Sequence, residues 1–314
     1  MNRNHSQTKR SAFITGATGF IGNHLAERLL RDRWHVHLLT RKESNIKRLG
    51  NLHGLLKVHE HNGTTQRAIE IMHQAKPDFV FHLASETMVD HKPEDLSRLI
   101  ESNITLGAQL LEAMAKTGVR YFINTGTFWQ HYHREDYNPV DLYAATKQAF
   151  EEILRYYTEC KSLCAITLKL FDVYGPNDHR EKLFTVFKKI SKTDKVLLMS
   201  PGEQVLDLVY IDDVVEAYLR AAKLLASNQN RAANQSYVVN SSRQVTLKKV
   251  AAIYEKVAGE KLNIRWGGRP YRAREIMLPW RGKRLPGWKP TVNLETGIRR
   301  TKGTAVQYTP GKPR

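Results

Sequence analysis

The chain has 314 residues, 41% of them hydrophobic and 25% charged, which is enough for one large domain or two smaller ones around a sizeable core. No run approaches the ~18 apolar residues of a membrane span, and Met1 to Arg10 is polar and basic, without the apolar centre of a secretory signal. The only cysteines, Cys160 and Cys164, exclude a disulfide framework or a cysteine metal set and read as packing residues in a reducing cytoplasm.

Ser11 to Thr15 is a short apolar strand. It runs into Gly16-Ala-Thr-Gly-Phe-Ile-Gly22 and then a helix with Leu25, Leu29 and Leu30 on one face. Strand, glycine loop and helix in that order form a dinucleotide-binding fingerprint, in which the glycines let the backbone approach a pyrophosphate at the helix N-terminus. Trp34 to Thr40 is the second strand. Its end is where the adenosine ribose is read, about twenty residues past the glycines, by an acidic residue when the cofactor is NAD. Here stands Thr40-Arg41-Lys42. With no carboxylate for the 2′-hydroxyl, Arg41 is expected to pair with a 2′-phosphate, which favours NADP(H) over NAD(H). Asn62-Gly63 is expected to form a loop facing the adenine.

Phe79 to Ser85 is the next buried strand, and Glu94 to Thr117 a long helix closed by Gly118. Arg120 to Asn124 is a strand that leads into Thr125-Gly-Thr-Phe-Trp129. Asp141 to Cys160 is a helix, Ala165 to Phe171 a strand that breaks at Gly175-Pro176. Strands alternating with helices predict a parallel sheet wound on both faces. Further on, helices are expected over Glu181–Ser191, Asp213–Leu225 and Thr246–Gly259, and strands over Asp207–Ile211 and Ser236–Asn240. The rest, to the end, reads as loop-rich.

Tyr143 and Lys147 are four residues apart on the predicted helix, so they share a face. A phenol with a pKa near 10 is a poor acid or base. A nearby ammonium is expected to stabilise the phenolate and lower that value, so that Tyr143 exchanges a proton with a carbonyl or alcohol oxygen. His131 and His133 lie one residue apart, yet no carboxylate or cysteine set completes a metal site, and none is assigned.

These residues resemble the extended short-chain dehydrogenase/reductase family. The motifs are Thr15-Gly-Ala-Thr-Gly-Phe-Ile-Gly22, His82-Leu-Ala84, Tyr143-x-x-x-Lys147, Leu170-Phe-Asp-Val-Tyr-Gly-Pro176 and Asp207-Leu-Val-Tyr-Ile-Asp-Asp213. Within it, Asn124-Thr-Gly-Thr-Phe-Trp129 and Tyr143-Ala-Ala-Thr-Lys-Gln-Ala-Phe150 are most similar to nucleotide-6-deoxyhexose 4-ketoreductases of the CDP-abequose and CDP-paratose synthase group. The resemblance implies an α/β, Rossmann-like, doubly wound parallel sheet with a smaller mixed C-terminal lobe for substrate. It divides the chain into a basic extension (1–10), a dinucleotide domain (11–175, with 205–240 returning to it) and a substrate lobe (176–204 and 241–314). It implies that Thr125 and Tyr143 act on the reacting oxygen, and that Lys147 tunes Tyr143 and binds the nicotinamide ribose. Cofactor contacts are implied for Gly16, Thr18, Gly19, Phe20, Ile21, Gly22, Arg41, Asn62, Gly63, Leu83, Ala84, Ser85, Leu170 and Val173, besides Tyr143 and Lys147. Substrate contacts are implied for Thr127, Asp172, Lys182 and Arg272, the last two as candidates for the pyrophosphate.

Departures from the family pattern narrow the reaction. Sugar-nucleotide dehydratases carry Asp-Glu directly after the catalytic Thr; this chain has Gly126-Thr127. Asp172 stands where Asn is frequent, and Leu206 where Arg is frequent. The resemblance implies NADPH-dependent reduction of the C4 keto group of a nucleotide-linked 4-keto-6-deoxyhexose, a CDP-sugar favoured, in the cytoplasm. A 4-epimerase is the alternative, and a non-catalytic NADP- or RNA-binding protein of the same fold a third. The net charge of +18 suits the third, but retention of Thr125, Tyr143 and Lys147 favours an enzyme over a nucleic-acid partner. From Arg265 to Arg314 thirteen Lys and Arg face only Glu275 and Glu295, in part a solvated basic tail beyond Arg299. Because the helix 94–117 is apolar on more than one side, a homodimer is also expected.

Overall fold

A computed structural model of the chain describes residues 10–227 and 233–303. The expected extension, apart from Arg10, and the tail beyond Gly303 lie outside the described residues. Strands β1 (Ser11–Thr15), β2 (His35–Arg41), β3 (Lys57–His61), β4 (Phe79–His82), β5 (Tyr121–Thr127) and β6 (Cys164–Leu170) alternate with helices α1 (Phe20–Arg31), α2 (Thr65–Ala75), α3 (Leu96–Ile100), α4 (Leu106–Thr117) and α5 (Leu142–Cys160). A π-turn over Glu101–Thr105 joins α3 to α4. Then follow β7 (Asp172–Tyr174), α6 (Leu183–Ile190), β8 (Leu197–Met199), β9 (Val205–Tyr210), α7 (Ile211–Ala226), β10 (Gln235–Val239), β11 (Gln244–Thr246), α8 (Leu247–Ala258), β12 (Ile264–Trp266) and α9 (Leu294–Gly303).

The main sheet has seven strands in the order β10-β6-β5-β4-β1-β2-β3, every neighbouring pair parallel. Side chains alternate across it. Ala12, Ile14, Leu38, Phe81, Ile123 and Leu168 pack with α1 and α7 on one face. Phe13, Leu39, Val80, Phe122 and Ala165 pack with α2, α4 and α5 on the other. Burial on both faces is why these strands read as unbroken apolar runs. A Cβ at Gly107 would lie 2.6 Å from Phe150 Cζ, so glycine there sets how closely α4 meets α5. The smaller lobe holds a mixed sheet, β11-β9-β7, a parallel pair, β12-β8, and α6, α8 and α9.

The helix ends follow local chemistry. Side chains of Thr64, Asp141 and Thr246 cap α2, α5 and α8, accepting from the backbone N–H three residues on. Gly118 and Gly259 close α4 and α8 at φ 75° and 66°, the left-handed region that glycine enters without strain. Residues 57–61 and 65–75, which the sequence reading left unassigned, form β3 and α2. β3 is an edge strand of sequence Lys-Val-His-Glu-His, with no apolar run to betray it. The cysteines also depart from expectation: Cys160 is exposed at the end of α5 and Cys164 is only partly buried. Among the described residues no helix is long and apolar enough to cross a membrane.

Candidate active site

From β1 the strands run outward through β2 and β3 on one side, and from β4 through β5, β6 and β10 on the other. Such a reversal opens a crevice at the C-terminal ends of the two central strands, and the glycine loop sits there. Gly16 has φ +75°, and a Cβ on it would lie 2.6 Å from the backbone N of Ala84. Only a bare backbone fits between β1 and the Leu83-Ala84-Ser85 turn. Thr15 Oγ1 accepts from Ala84 N at 3.1 Å and bonds His82 Nδ1 at 2.9 Å, locking that turn. Gly19, the N-cap of α1, has no side chain to cap the helix. The free N–H groups of the first turn are thus left for an anion, which fits a dinucleotide pyrophosphate. Gly22 packs so that a Cβ would fall 2.8 Å from Ala17 Cα.

The other expected cofactor residues lie at the start of α1, at or just past the C-terminal ends of the parallel strands, or in β7. Phe20 lies under the Arg180 guanidinium, 4.7 Å from the ring centroid. Ile21, Leu83 and Val173 pack partly buried against the core, and Leu170 lies within it. Thr18 is partly exposed and Arg41, at the end of β2, is exposed. The Arg41 guanidinium makes no hydrogen bond or ion pair among the described residues; its backbone N–H donates to Ser44 Oγ and its carbonyl accepts from Ser44 N. Asn62 Oδ1 accepts from Thr64 N and Oγ1 at 3.1 and 2.8 Å, so its carbonyl is committed to the turn before α2. Gly63 accepts from Gln109 through its carbonyl. Ser85 Oγ donates to Asn103 Oδ1 at 3.1 Å.

Asp141 starts α5 by accepting from Ala144 N at 2.8 Å. Tyr143 is therefore in its first turn and Lys147 one turn later, on the same face. Asn103, fully buried in the π-turn, donates to Thr146 Oγ1 at 2.9 Å, and Thr146 Oγ1 donates to Tyr143 O at 2.7 Å. The phenol is thus fixed from its backbone. Its acidity runs opposite to expectation. Burial pushes the Tyr143 pKa up to about 12 and Asp141 adds to that; hydrogen bonds with Thr87 and Thr127, and then Arg180, pull it back. Lys147 does not counter the burial. It is itself buried, its Nζ without a hydrogen-bond partner, and burial pushes its pKa down to about 8 against the opposing charge of Glu151.

The hydroxyl beside Tyr143 also differs from the expected one. Thr125 Oγ1 donates to His82 O at 2.7 Å and shares a 2.6 Å hydrogen bond with Tyr218. It is committed to holding β5 against β4 and α7. Thr87 and Thr127 are the hydroxyls that lower the Tyr143 pKa against its burial. Thr127 is the last residue of β5, and sites in parallel sheets collect at strand ends, a signal that already separates it from Thr125 two residues deeper. Thr87 was not foreseen at all.

On the lobe side Asp172, Lys182 and Arg272 come together, with Arg180 as an unforeseen fourth. Burial pushes the Asp172 pKa up to about 6; Lys182 opposes this most, then Arg180 and Arg272, while Asp207 adds to it. Burial pushes Lys182 down, with Arg180 and Arg272 adding to that push and Asp172 opposing it. Three cations around one carboxylate make a candidate anion subsite, with Arg180 itself paired to Asp178 at 2.7 Å. The Arg272 guanidinium lies 5.9 Å from the ring centroid of Trp129 and bears on Asp141, whose own pKa burial pushes up to about 6. Asp207 is taken up by Asn240 and Ser241. His131 is buried under Trp280, rings 3.6 Å apart, and exposed His133 leans on Tyr132. Among the described residues no three His, Cys, Asp or Glu gather as a metal site would.

One pH dependence follows from Lys147. An ammonium pushed down to about 8 is intact below that pH and lost above it. If the charged form is the working one, activity measured as kcat/KM should hold below pH 8 and fall as pH rises through it. A profile flat to pH 10 would remove Lys147 from the working set.

A family model described as the NAD dependent epimerase/dehydratase family matches residues 12–261. Among characterised proteins, a CDP-abequose synthase from Salmonella muenchen is 28% identical over 93% of this chain and 96% of its own. A probable UDP-glucuronate 4-epimerase from Rhizobium meliloti (strain 1021) is 26% identical over 91% and 94%. In fold, a UDP-glucose 4-epimerase from Thermotoga maritima, solved with UDP-glucose, superposes with a TM-score of 0.80 at 23% identity, over 93% of this chain and 97% of its own. The chain belongs to the NAD dependent epimerase/dehydratase family and is an NAD(P)-dependent enzyme.

Proposed function

We propose that the protein reduces the C4 keto group of a nucleotide-linked 4-keto-6-deoxyhexose, a CDP-sugar by preference, with NADPH. The observation that carries this is Tyr143: a phenol held protonated by burial, hydrogen-bonded to Thr127, with no carboxylate after that threonine. Phe128 and Trp129 follow it, so the acid and base needed to eliminate water are missing. The relatives named CDP-abequose synthase support the sugar class. Arg41, exposed at the end of β2 with no carboxylate beside it in sequence, supports NADPH.

The cofactor, when bound, supplies the hydride. Thr127 donates a hydrogen bond to the substrate oxygen and Tyr143 passes its proton there as negative charge develops. The Lys147 ammonium stabilises the phenolate left behind. Arg180, Lys182 and Arg272 hold the diphosphate, which fixes the sugar relative to Tyr143. The relatives named as 4-epimerases support a second reading, in which the same residues pass a hydride out and back on a retained cofactor.

Mixing enzyme, NADPH and a CDP-linked 4-keto-6-deoxyhexose should consume NADPH mole for mole; no consumption here, with inversion at C4 of a nucleotide-linked 4-hydroxy hexose, would favour the epimerase. NADPH should bind more tightly than NADH, and Arg41→Asp should weaken NADPH about tenfold or more by losing a charge-assisted pair and adding repulsion. Equal binding by the wild type, or an unchanged variant, removes Arg41 as the reader.

We further propose a homodimer. Leu96 and Ile100 on α3 are 48% and 37% exposed and Tyr156 on α5 is 52% exposed, so these helices present apolar side chains outward as well as inward. Light scattering at micromolar concentration should give twice the chain mass of 36.1 kDa; a stable monomer mass contradicts it.

A further inference from the structure

Lys147 lacks a visible partner for its charge. An ammonium cut off from water tends to lose its proton unless an anion stands close. Glu151 follows one turn later on the same face of α5, and its charge opposes the effect of burial on Lys147.

Glu151 is held by three partners. Its Oε1 accepts from Gln130 Nε2 at 2.9 Å, and its Oε2 pairs with Lys169 Nζ of β6 at 3.3 Å and accepts from Ser236 Oγ of β10 at 3.4 Å. Gln130 is fully buried, and its Oε1 accepts from Thr127 N at 3.0 Å, tying the carboxylate to the threonine beside Tyr143. Lys169 Nζ lies 3.0 Å from His131 Nε2, and His131 is stacked on Trp280. Any side chain at Gly126 would begin 3.0 Å from Glu151 Oε1 and 3.1 Å from Gln130 Oε1, so the strand is kept bare where it passes them. So much buried polar structure around one carboxylate contributes nothing to the apolar packing of the sheet, and every partner in it must be satisfied to be tolerated.

The charged and titratable groups facing the pair are Tyr143 on the same helix, His82 from β4, Lys169 from β6, His131 from the loop after β5, and Glu152, which acts on Lys169. Burial holds His82 and His131 neutral, at about 3 and about 4. Among these, Lys169 is the cation that competes for the carboxylate.

We propose that Glu151 is the counter-ion of Lys147, a positioning residue that keeps the ammonium charged and in place behind Tyr143, with Gln130, Lys169 and His131 holding the carboxylate for that task. This rests on Lys147 belonging to the working set, and its first readout, the titration of Lys147, needs no substrate. Because the Nζ is buried, that titration is read from the ¹³Cε chemical shift of Lys147 across pH in protein carrying ¹³C-labelled lysine. Glu151→Gln keeps the size and the hydrogen-bonding atoms. Its Lys147 midpoint should fall by about one pH unit, and the alkaline limb of turnover should fall with it. An unchanged midpoint with turnover lowered equally at every pH would make Glu151 merely structural and overturn the proposal. Should the single variant fail to fold, Glu151→Gln with Lys169→Met removes both buried charges together; the midpoint should again fall, and an unchanged one again refutes. If no keto-sugar is turned over, the reductase reading fails while the titration result stands.

Discussion

Tyr143→Phe should fold as the wild type does and lose about 10²–10⁴-fold in turnover, the usual worth of a positioned proton donor. The ring keeps its place because α5 is fixed from elsewhere: Asp141 caps it, and Thr146 and Asn103 hold the Tyr143 carbonyl. Only the hydroxyl beside Thr127 and Thr87 is removed. Substrate and cofactor binding should change little, since the anion subsite and the glycine loop are untouched. Steady-state kinetics check this, with a thermal melt as control. A variant that keeps more than about a tenth of the rate removes Tyr143 from the chemistry.

The second large effect separates two threonines. Thr127→Val should cost about 10²–10³-fold in kcat, the loss expected when one donor to a developing oxyanion is removed. Thr125→Val breaks hydrogen bonds to His82 O and Tyr218. It should cost about 1–3 kcal/mol of stability and much less in kcat. Running kinetics and denaturation on both variants decides the assignment. If Thr125→Val is the one that kills turnover while melting normally, the working hydroxyl is Thr125 after all.

That pair also shows where the sequence stops being legible. Glycine spacing, the flanking strand and helix, and the four-residue step from Tyr143 to Lys147 are local, and the fold places them as read. The apolar strands were visible because both faces of the sheet are covered. The polar edge strand β3 was not, because nothing buries its outer side. Which hydroxyl meets Tyr143 depends on depth along a strand, and spacing alone says nothing of depth. The direction of the Tyr143 pKa is set by how much protein surrounds the ring, a sum over distant elements. Arg180 reaches the site only because the turn after β7 folds back over Phe20.

Gly126-Thr127, which follow Thr125, and Phe128-Trp129, which follow Thr127, are equally unable to act as the acid and base of a dehydratase. Phe128 stacks on Phe171 and Trp129 carries Arg272, so this stretch shapes the substrate side of the site.

The most direct measurement uses NADPH deuterated at the transferable position, a CDP-linked 4-keto-6-deoxyhexose, and mass spectrometry of the sugar product. A reductase leaves one deuterium in each product molecule, at C4, with stoichiometric NADP⁺. Keto-sugar left unreduced with the NADPH pool intact, while a nucleotide-linked 4-hydroxy hexose is inverted at C4 without added NADPH, would contradict the account and point to a hydride that leaves the sugar and returns to it.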